Sequence, residues 1–71
     1  MERYIFSLFV GERATYREEI LAAVDEDAVE LAADALNEVG ASHAWTLATL
    51  TDLAGRVVWQ SARAFPKAPD L

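Results

Sequence analysis

Residues 44–62, AWTLATLT-DLAG-RVVWQSA, carry the strongest local signal in the sequence, that of a β-hairpin. Both flanks are rich in β-branched and aromatic residues, and the four residues between them suit a type I turn. Gly55 is expected in the left-handed region as part of a G1 bulge, which would pair Asp52 with Arg56. The hairpin therefore predicts two adjacent antiparallel strands at the end of the domain.

The expected register of this hairpin assigns its side chains to the two faces of a sheet. One face would carry Trp45, Leu47, Thr49, Val57, Trp59 and Ser61, and the other Ala44, Thr46, Ala48, Leu50, Val58 and Gln60. We expect a helix to pack over the tryptophan face, because small helix residues let the helix approach while large rings fill the space.

Two strands are predicted before the helix. Residues 3–10, RYIFSLFV, are apolar on both sides and indicate a central strand that ends at Gly11. Residues 14–24 fit either a second antiparallel strand or, since Thr15 and Glu18 form a capping-box pattern, the start of a helix reaching residue 39. The strand is favoured, because such a helix would be ~36 Å long and would overhang strands of ~25 Å.

Residues 25–40, DEDAVELAADALNEVG, predict an amphipathic helix. Asp25 is the expected N-cap, and Gly40 the expected left-handed residue after the last turn. The apolar stripe consists of Ala28, Leu31, Ala32, Ala35, Leu36 and Val39. Together these elements predict an α+β fold of order ββαββ, with one helix packed on a small antiparallel sheet. Residues 1–64 would form this single domain, and residues 65–71 a flexible C-terminal tail.

Composition narrows the classes of partner. The chain of 71 residues has a formal net charge of −6, is 54% hydrophobic and contains no cysteine. Such an acidic chain argues against nucleic acid or an anionic membrane as a direct partner, and favours a basic protein. Without disulfides, a membrane-spanning stretch or a signal-peptide pattern, the sequence is typical of a cytoplasmic protein.

Catalytic patterns are weak. His43 is the only histidine, and its neighbour Ser42 cannot form a catalytic pair with it, because nucleophile and base must converge with a third group that orients the base. The carboxylates lack the spacing of a calcium loop, and the isolated glycines form no phosphate-binding loop. We therefore expect no enzymatic activity, no metal site and no cofactor.

The distribution of charge is the most specific feature. From Glu18 to Asp52 there are nine acidic residues and no Lys or Arg. Helical spacing places Asp27, Glu30, Asp34 and Glu38 on the side opposite the apolar stripe, and these four are the predicted partner-binding residues. They would imitate a phosphate backbone or dock on a basic groove. The alternative is that the acidity serves only solubility.

The uncovered face of the sheet is a second candidate surface. Its predicted apolar residues include Ile5, Phe9, Leu50 and Val58. An exposed apolar face of this size is typical of an interface, so that either homodimerisation or partner docking would cover it.

Several short patterns resemble known small proteins. Arg3-Tyr4-x-Phe6, Ala23-x-Asp25-Glu26-x-Ala28-x-x-x-Ala32 and Asp52-x-x-Gly55-Arg56 resemble small bacterial domains of unknown function with a ββαββ order. The chain is also similar to some phage-encoded anti-CRISPR proteins, which are equally small, often acidic, and in several cases pack a helix on an antiparallel sheet. This resemblance implies an inhibitor that occupies the basic surface on which a CRISPR effector complex receives nucleic acid.

Overall fold

The computed structural model describes residues 1–63, and these form one helix packed on a four-stranded antiparallel sheet. The elements are β1 (Glu2–Val10), β2 (Arg13–Ala22), α1 (Asp25–Val39), β3 (Leu47–Asp52) and β4 (Val57–Ala62). The predicted α+β class and ββαββ order are confirmed. The predicted domain end at residue 64 and the predicted tail lie outside the described residues.

Strand β1 is central, as its apolar sides predict. The strand order is β2-β1-β3-β4, so that β1 is hydrogen-bonded on both edges. Tyr4, Phe6 and Leu8 are buried beneath the helix, whereas Val10 at the strand end is exposed. Residues 13–22 form the antiparallel partner of β1, which decides between strand and helix for this segment in favour of the strand.

The helix contacts the sheet through its smallest side chains. Ala28 and Ala32 are 0% exposed, and Ala35, Leu36 and Val39 are half-buried against the core. Leu31, predicted in the apolar stripe, is instead 44% exposed. Val29, outside the predicted stripe, packs against the core instead, so the contact stripe is rotated relative to the prediction.

The start of the helix differs from the prediction by one residue. Val24 is the N-cap, with extended dihedrals of φ −140° and ψ 163°, and no described side chain caps the N-terminus of the helix. Asp25 is the first helical residue, and its carboxylate accepts hydrogen bonds from Tyr4 and Arg56.

Gly40 is not left-handed, contrary to expectation, since its φ of −64° and ψ of −21° lie in the right-handed helical region. The lack of space for a side chain explains the glycine instead. A Cβ atom at this position would lie 2.5 Å from the carbonyl oxygen of Leu36 and 2.9 Å from Nε1 of Trp45. Trp45 can lie against the end of α1 only because residue 40 has no side chain.

The turn of the second hairpin forms as predicted, but the register beyond it does not. Gly55 has φ 90°, and the Asp52 N–H donates to the Arg56 carbonyl at 3.0 Å. A further irregularity between Leu50 and Thr51 then shifts the pairing, so that Leu50 lies opposite Trp59. One additional residue in β4 moves every later side chain to the other face.

The predicted assignment of faces is therefore wrong for β3. Ala48 and Leu50 are 0% exposed under the helix, whereas Leu47 and Thr49 lie on the open face. Both tryptophans still contact the core, Trp59 from β4 and Trp45 from the segment before β3.

This shift corrects the predicted interface on the open face. Leu50 is part of the core and is unavailable to a partner. Ile5 and Phe9 do lie on the open face, where Phe9 is directly opposite Leu47. Val58 lies at the irregularity in β4 and packs half-buried against the core.

Candidate functional site

An acidic row runs along the exposed side of α1. It consists of Asp27, Glu30, Asp34 and Glu38, the four predicted partner-binding residues, and the side chains of all four are exposed. Their spacing of three or four residues keeps them on one side of the helix. Within residues 1–63 both salt bridges are made by Arg56, and neither involves the acidic row. The row thus presents carboxylates that no described base neutralises by direct pairing.

A groove between β2 and α1 extends the acidic row. This β2/α1 groove has a volume of about 410 Å³, and its lining includes Glu18, Glu19, Leu21, Leu31, Asp34 and Glu38. Leu21 is 49% and Leu31 44% exposed, so the groove combines apolar surface with carboxylates. The sequence does not predict that Asp34 and Glu38 of the helix lie near Glu18 and Glu19 of the strand.

Two of the carboxylates that line the groove, Glu18 and Glu38, also influence the pKa of Tyr16. Burial raises the pKa of the Tyr16 hydroxyl, and the nearby carboxylates of Glu18 and Glu38 raise it further. A negative charge on the phenolate would be repelled by both carboxylates, which is the physical cause of their contribution.

Basic side chains are placed away from the acidic row. Arg3 and Arg17 lie on the open face of the sheet, opposite Leu21 and Ser7 respectively. The Arg63 guanidinium lies 5.5 Å from the ring centroid of Trp45. Two of the described bases therefore lie on the side of the sheet away from α1, whereas Arg56 is paired with Asp25 at the start of the helix.

A hydrogen-bonded network ties the start of α1 to the second hairpin. The Tyr4 hydroxyl donates to Asp25 Oδ1 at 2.6 Å, and Arg56 Nη2 donates to Asp25 Oδ2 at 3.0 Å. Arg56 Nε also donates to Asp52 Oδ2 at 3.0 Å. The hydrogen bond to Asp25 and burial of the ring raise the pKa of Tyr4 to about 12. These four residues border a cavity of about 330 Å³, and their mutual contacts assign them a structural role.

Sequence reasoning did not identify this network. The pairing of Asp52 with Arg56 follows from the turn, but the link from Arg56 to Asp25 joins residues that are far apart in the chain. The resulting contact depends on how the helix crosses the sheet, for which no local pattern is diagnostic.

The network predicts a loss of stability in acid. Hydrogen bonds from Tyr4 and Arg56 lower the pKa of Asp25, and hydrogen bonds from the backbone and side chain of Arg56 lower that of Asp52. A carboxyl group whose pKa is lower in the folded chain stabilises the fold above its unfolded pKa, and this contribution is lost as the pH falls through the folded value. We expect the free energy of unfolding, measured by urea titration, to decrease below about pH 4.

The variant Arg56→Gln isolates this effect, since it removes a partner of both carboxylates. Its unfolding free energy should depend less steeply on pH in the acid range than that of the unchanged chain. Identical acid dependence of the two proteins would show that Arg56 does not set the titration of Asp25 and Asp52.

His43 lies in the loop after α1, where the sequence places it. Its Nδ1 is 3.1 Å from the Val39 carbonyl oxygen and 3.2 Å from Ser42 Oγ, and its ring packs edge-on against Tyr16 at 4.9 Å. The same carbonyl oxygen accepts the backbone N–H groups of Ser42 and His43 at 3.1 and 3.0 Å. These contacts give His43 a role in closing the end of the helix.

Metal ligands do not converge in the part of the chain that the structure describes: residues 1–63 contain no group of three His, Asp or Glu side chains placed to hold an ion. In the same range, no helix combines the length and the apolar character needed to cross a membrane. Comparison of the chain with protein-family models, with curated proteins and with solved structures finds no significant match in any of the three.

Proposed function

We propose that this chain is a non-enzymatic binding protein that blocks a basic, nucleic-acid-binding surface of a partner through its acidic row. The observation that carries the proposal is the exposure of four carboxylates on one side of α1 without a salt bridge to residues 1–63. A CRISPR effector complex is the partner class implied by the resemblance to phage anti-CRISPR proteins, and the cytoplasm is the compartment in which they would meet.

The geometry of the row supports imitation of a phosphate backbone. Asp27 and Glu38 are eleven residues apart, which corresponds to about 16 Å along a helix. Four charges over this length have a mean spacing of about 5 Å, compared with ~3.4 Å for phosphates along one DNA strand. Carboxylates of the neighbouring strand, Glu18 and Glu19, increase the local charge density. A basic groove would therefore meet a charge density approaching that of a nucleic-acid strand.

The position of two of these charges is unfavourable for the helix itself. Asp34 and Glu38 lie towards the C-terminus of α1, where the helix dipole disfavours negative charge, and the last turn contains no basic residue. A helix optimised for stability alone would carry Lys or Arg at this end. This arrangement favours a function for the carboxylates beyond folding.

Replacing the acidic row should abolish partner binding without unfolding the protein. The variant Asp27→Asn/Glu30→Gln/Asp34→Asn/Glu38→Gln keeps the size of each side chain, removes four charges and relieves the repulsion at the helix end. We expect the thermal stability of this variant to be unchanged or higher. We also expect that it no longer captures the basic nucleic-acid-binding protein that the unchanged chain captures from a bacterial lysate. Quantitative mass spectrometry of the captured proteins measures this loss.

Two controls make the capture specific. The variant Glu2→Gln/Glu12→Gln removes charge from exposed sites outside the acidic row and should retain the captured protein. Double-stranded DNA and raised salt should both displace it, since steering between charged surfaces is screened by ions. Capture that persists in the quadruple variant and at high salt would refute the proposal.

Homodimerisation through the open face is the second candidate, because Phe9 and Leu47 are adjacent apolar residues there. The same face carries polar Ser7, Thr49 and Thr51 along its centre, which makes it less apolar than the sequence predicts. Sedimentation at micromolar concentration decides the question, since a monomer removes this candidate.

A further inference from the structure

Strand β2 has one free edge within the described residues. It is the terminal strand of the order β2-β1-β3-β4, and it pairs only with β1. Alternate residues of such a strand direct their N–H and C=O groups away from the sheet, where another extended chain can take up the hydrogen bonds. The β2/α1 groove lies between this strand and the helix.

The walls of the groove provide contacts beyond the backbone. Leu21 from the strand and Leu31 from the helix are each about half exposed, although both are large apolar side chains. Leu31 is more exposed than Ala28 and Ala32 of the same stripe, which are buried. Leu31 lies on the helix side of β2, whereas Leu21 is opposite Arg3 and lies on the side of the open face, so that side chains on the two sides of a bound segment would each cover one leucine.

The charges that line the groove have one sign. Glu18 contributes from β2, and Asp34 and Glu38 from α1, on the helix side of the strand, whereas Glu19 lies on the side of the open face. Among residues 1–63, no Lys or Arg lines the groove. Charge complementarity therefore requires Lys or Arg on the occupant, and disfavours an acidic or neutral one.

We propose, on the basis of the function proposed above, that the β2/α1 groove binds an extended basic segment of the partner protein, which adds to the sheet as a strand along β2. In an extended segment successive side chains point to opposite sides, so that basic residues can face the carboxylates on the helix side while apolar residues face Leu21 on the other side. Strand addition at a sheet edge gives affinity through main-chain hydrogen bonds and specificity through alternate side chains. The free edge of β2 favours an extended segment over a helix, because the backbone N–H and C=O groups of a helix are already hydrogen-bonded within the helix.

A peptide of alternating lysine and valine, about eight residues long to match a strand, is the probe. Fluorescence anisotropy gives its affinity, and amide chemical shifts of the labelled protein give its location. We expect shifts to concentrate in residues 17–22 and 31–38. N-methylation of every second peptide residue keeps the charge of the peptide but removes the backbone N–H donors along one of its edges. Methylation of the edge that faces β2 should abolish binding, whereas methylation of the opposite edge should not.

Two matched variants separate the groove from the acidic row. Glu18→Gln/Glu19→Gln removes two charges from the groove and leaves the acidic row intact, and should weaken peptide binding about tenfold. Glu2→Gln/Glu12→Gln makes the same chemical change outside the groove and should weaken it less than about threefold through general screening.

Equal effects of the two variants, tolerance of both methylation patterns, or absence of peptide binding would overturn the groove inference. The proposed function is judged separately, by lysate capture with the quadruple helix variant. Loss of capture in that variant, together with unaltered capture by Glu18→Gln/Glu19→Gln, would retain the acidic row as the binding surface and exclude the groove.

Discussion

Replacing Leu50 by alanine is expected to lower the free energy of unfolding by about 2–5 kcal/mol, the range for large-to-small substitutions in well-packed cores. The Leu50 side chain is 0% exposed and lies in the core with Phe6 and Leu8, the other large side chains that are fully buried. Its removal leaves a cavity between sheet and helix as well as losing apolar burial. In a domain of this size, such a loss is a large part of the total stability.

The neighbouring variant Leu47→Ala is the matched control. The chemical change is identical, but Leu47 is half-buried on the open face, and we expect a loss of about 1 kcal/mol or less. Urea denaturation followed by tryptophan fluorescence measures both variants. The two variants test the register of the hairpin directly, because the register predicted from the sequence, without the irregularity in β4, places Leu47 under the helix and Leu50 on the open face. A larger loss of stability for Leu47→Ala than for Leu50→Ala would support the predicted register and contradict the observed one.

Replacing Ala32 by leucine is expected to destabilise the protein by about 1–3 kcal/mol, the typical effect of overpacking. Ala32 is 0% exposed at the contact between α1 and the sheet, where its small size sets the distance between them. The added atoms must displace either the helix or side chains of β1 and β3. Helix propensity is not the cause, since leucine is nearly as favourable in a helix as alanine.

Ala33→Leu provides the comparison, because residue 33 is adjacent in sequence and only half-buried. We expect its midpoint of thermal unfolding to stay close to that of the unchanged chain, while that of Ala32→Leu decreases by several degrees. Equal midpoints for the two leucine variants would mean that α1 does not pack through Ala32.

Much of the fold is encoded in local patterns. Turn chemistry at Gly11 and Gly55, alternation in β1 and helical periodicity after Asp25 are sufficient for the order of elements and for the central position of β1. These patterns succeed because each depends on neighbours within a few residues. The acidic row is predictable for the same reason, since helical spacing alone places its members together.

The features that sequence reasoning missed depend on tertiary packing. The irregularity opposite Leu50 places Trp59 under the helix, and no turn signal marks it. Gly40 is required by the indole of Trp45, which approaches from the other side of a loop. The β2/α1 groove brings together two acidic pairs from a strand and a helix whose relative position is set by the core. Short-range spacing contains no information on these contacts.

The separation of charge between the two layers has a consequence for the approach of a partner. The carboxylates on α1 and the guanidinium groups of Arg3 and Arg17 on the open face contribute a dipole component perpendicular to the sheet. The field of a basic target would rotate the free protein before contact, so that α1 leads and the sheet trails. Productive encounters would then form a larger share of all collisions than random orientation allows.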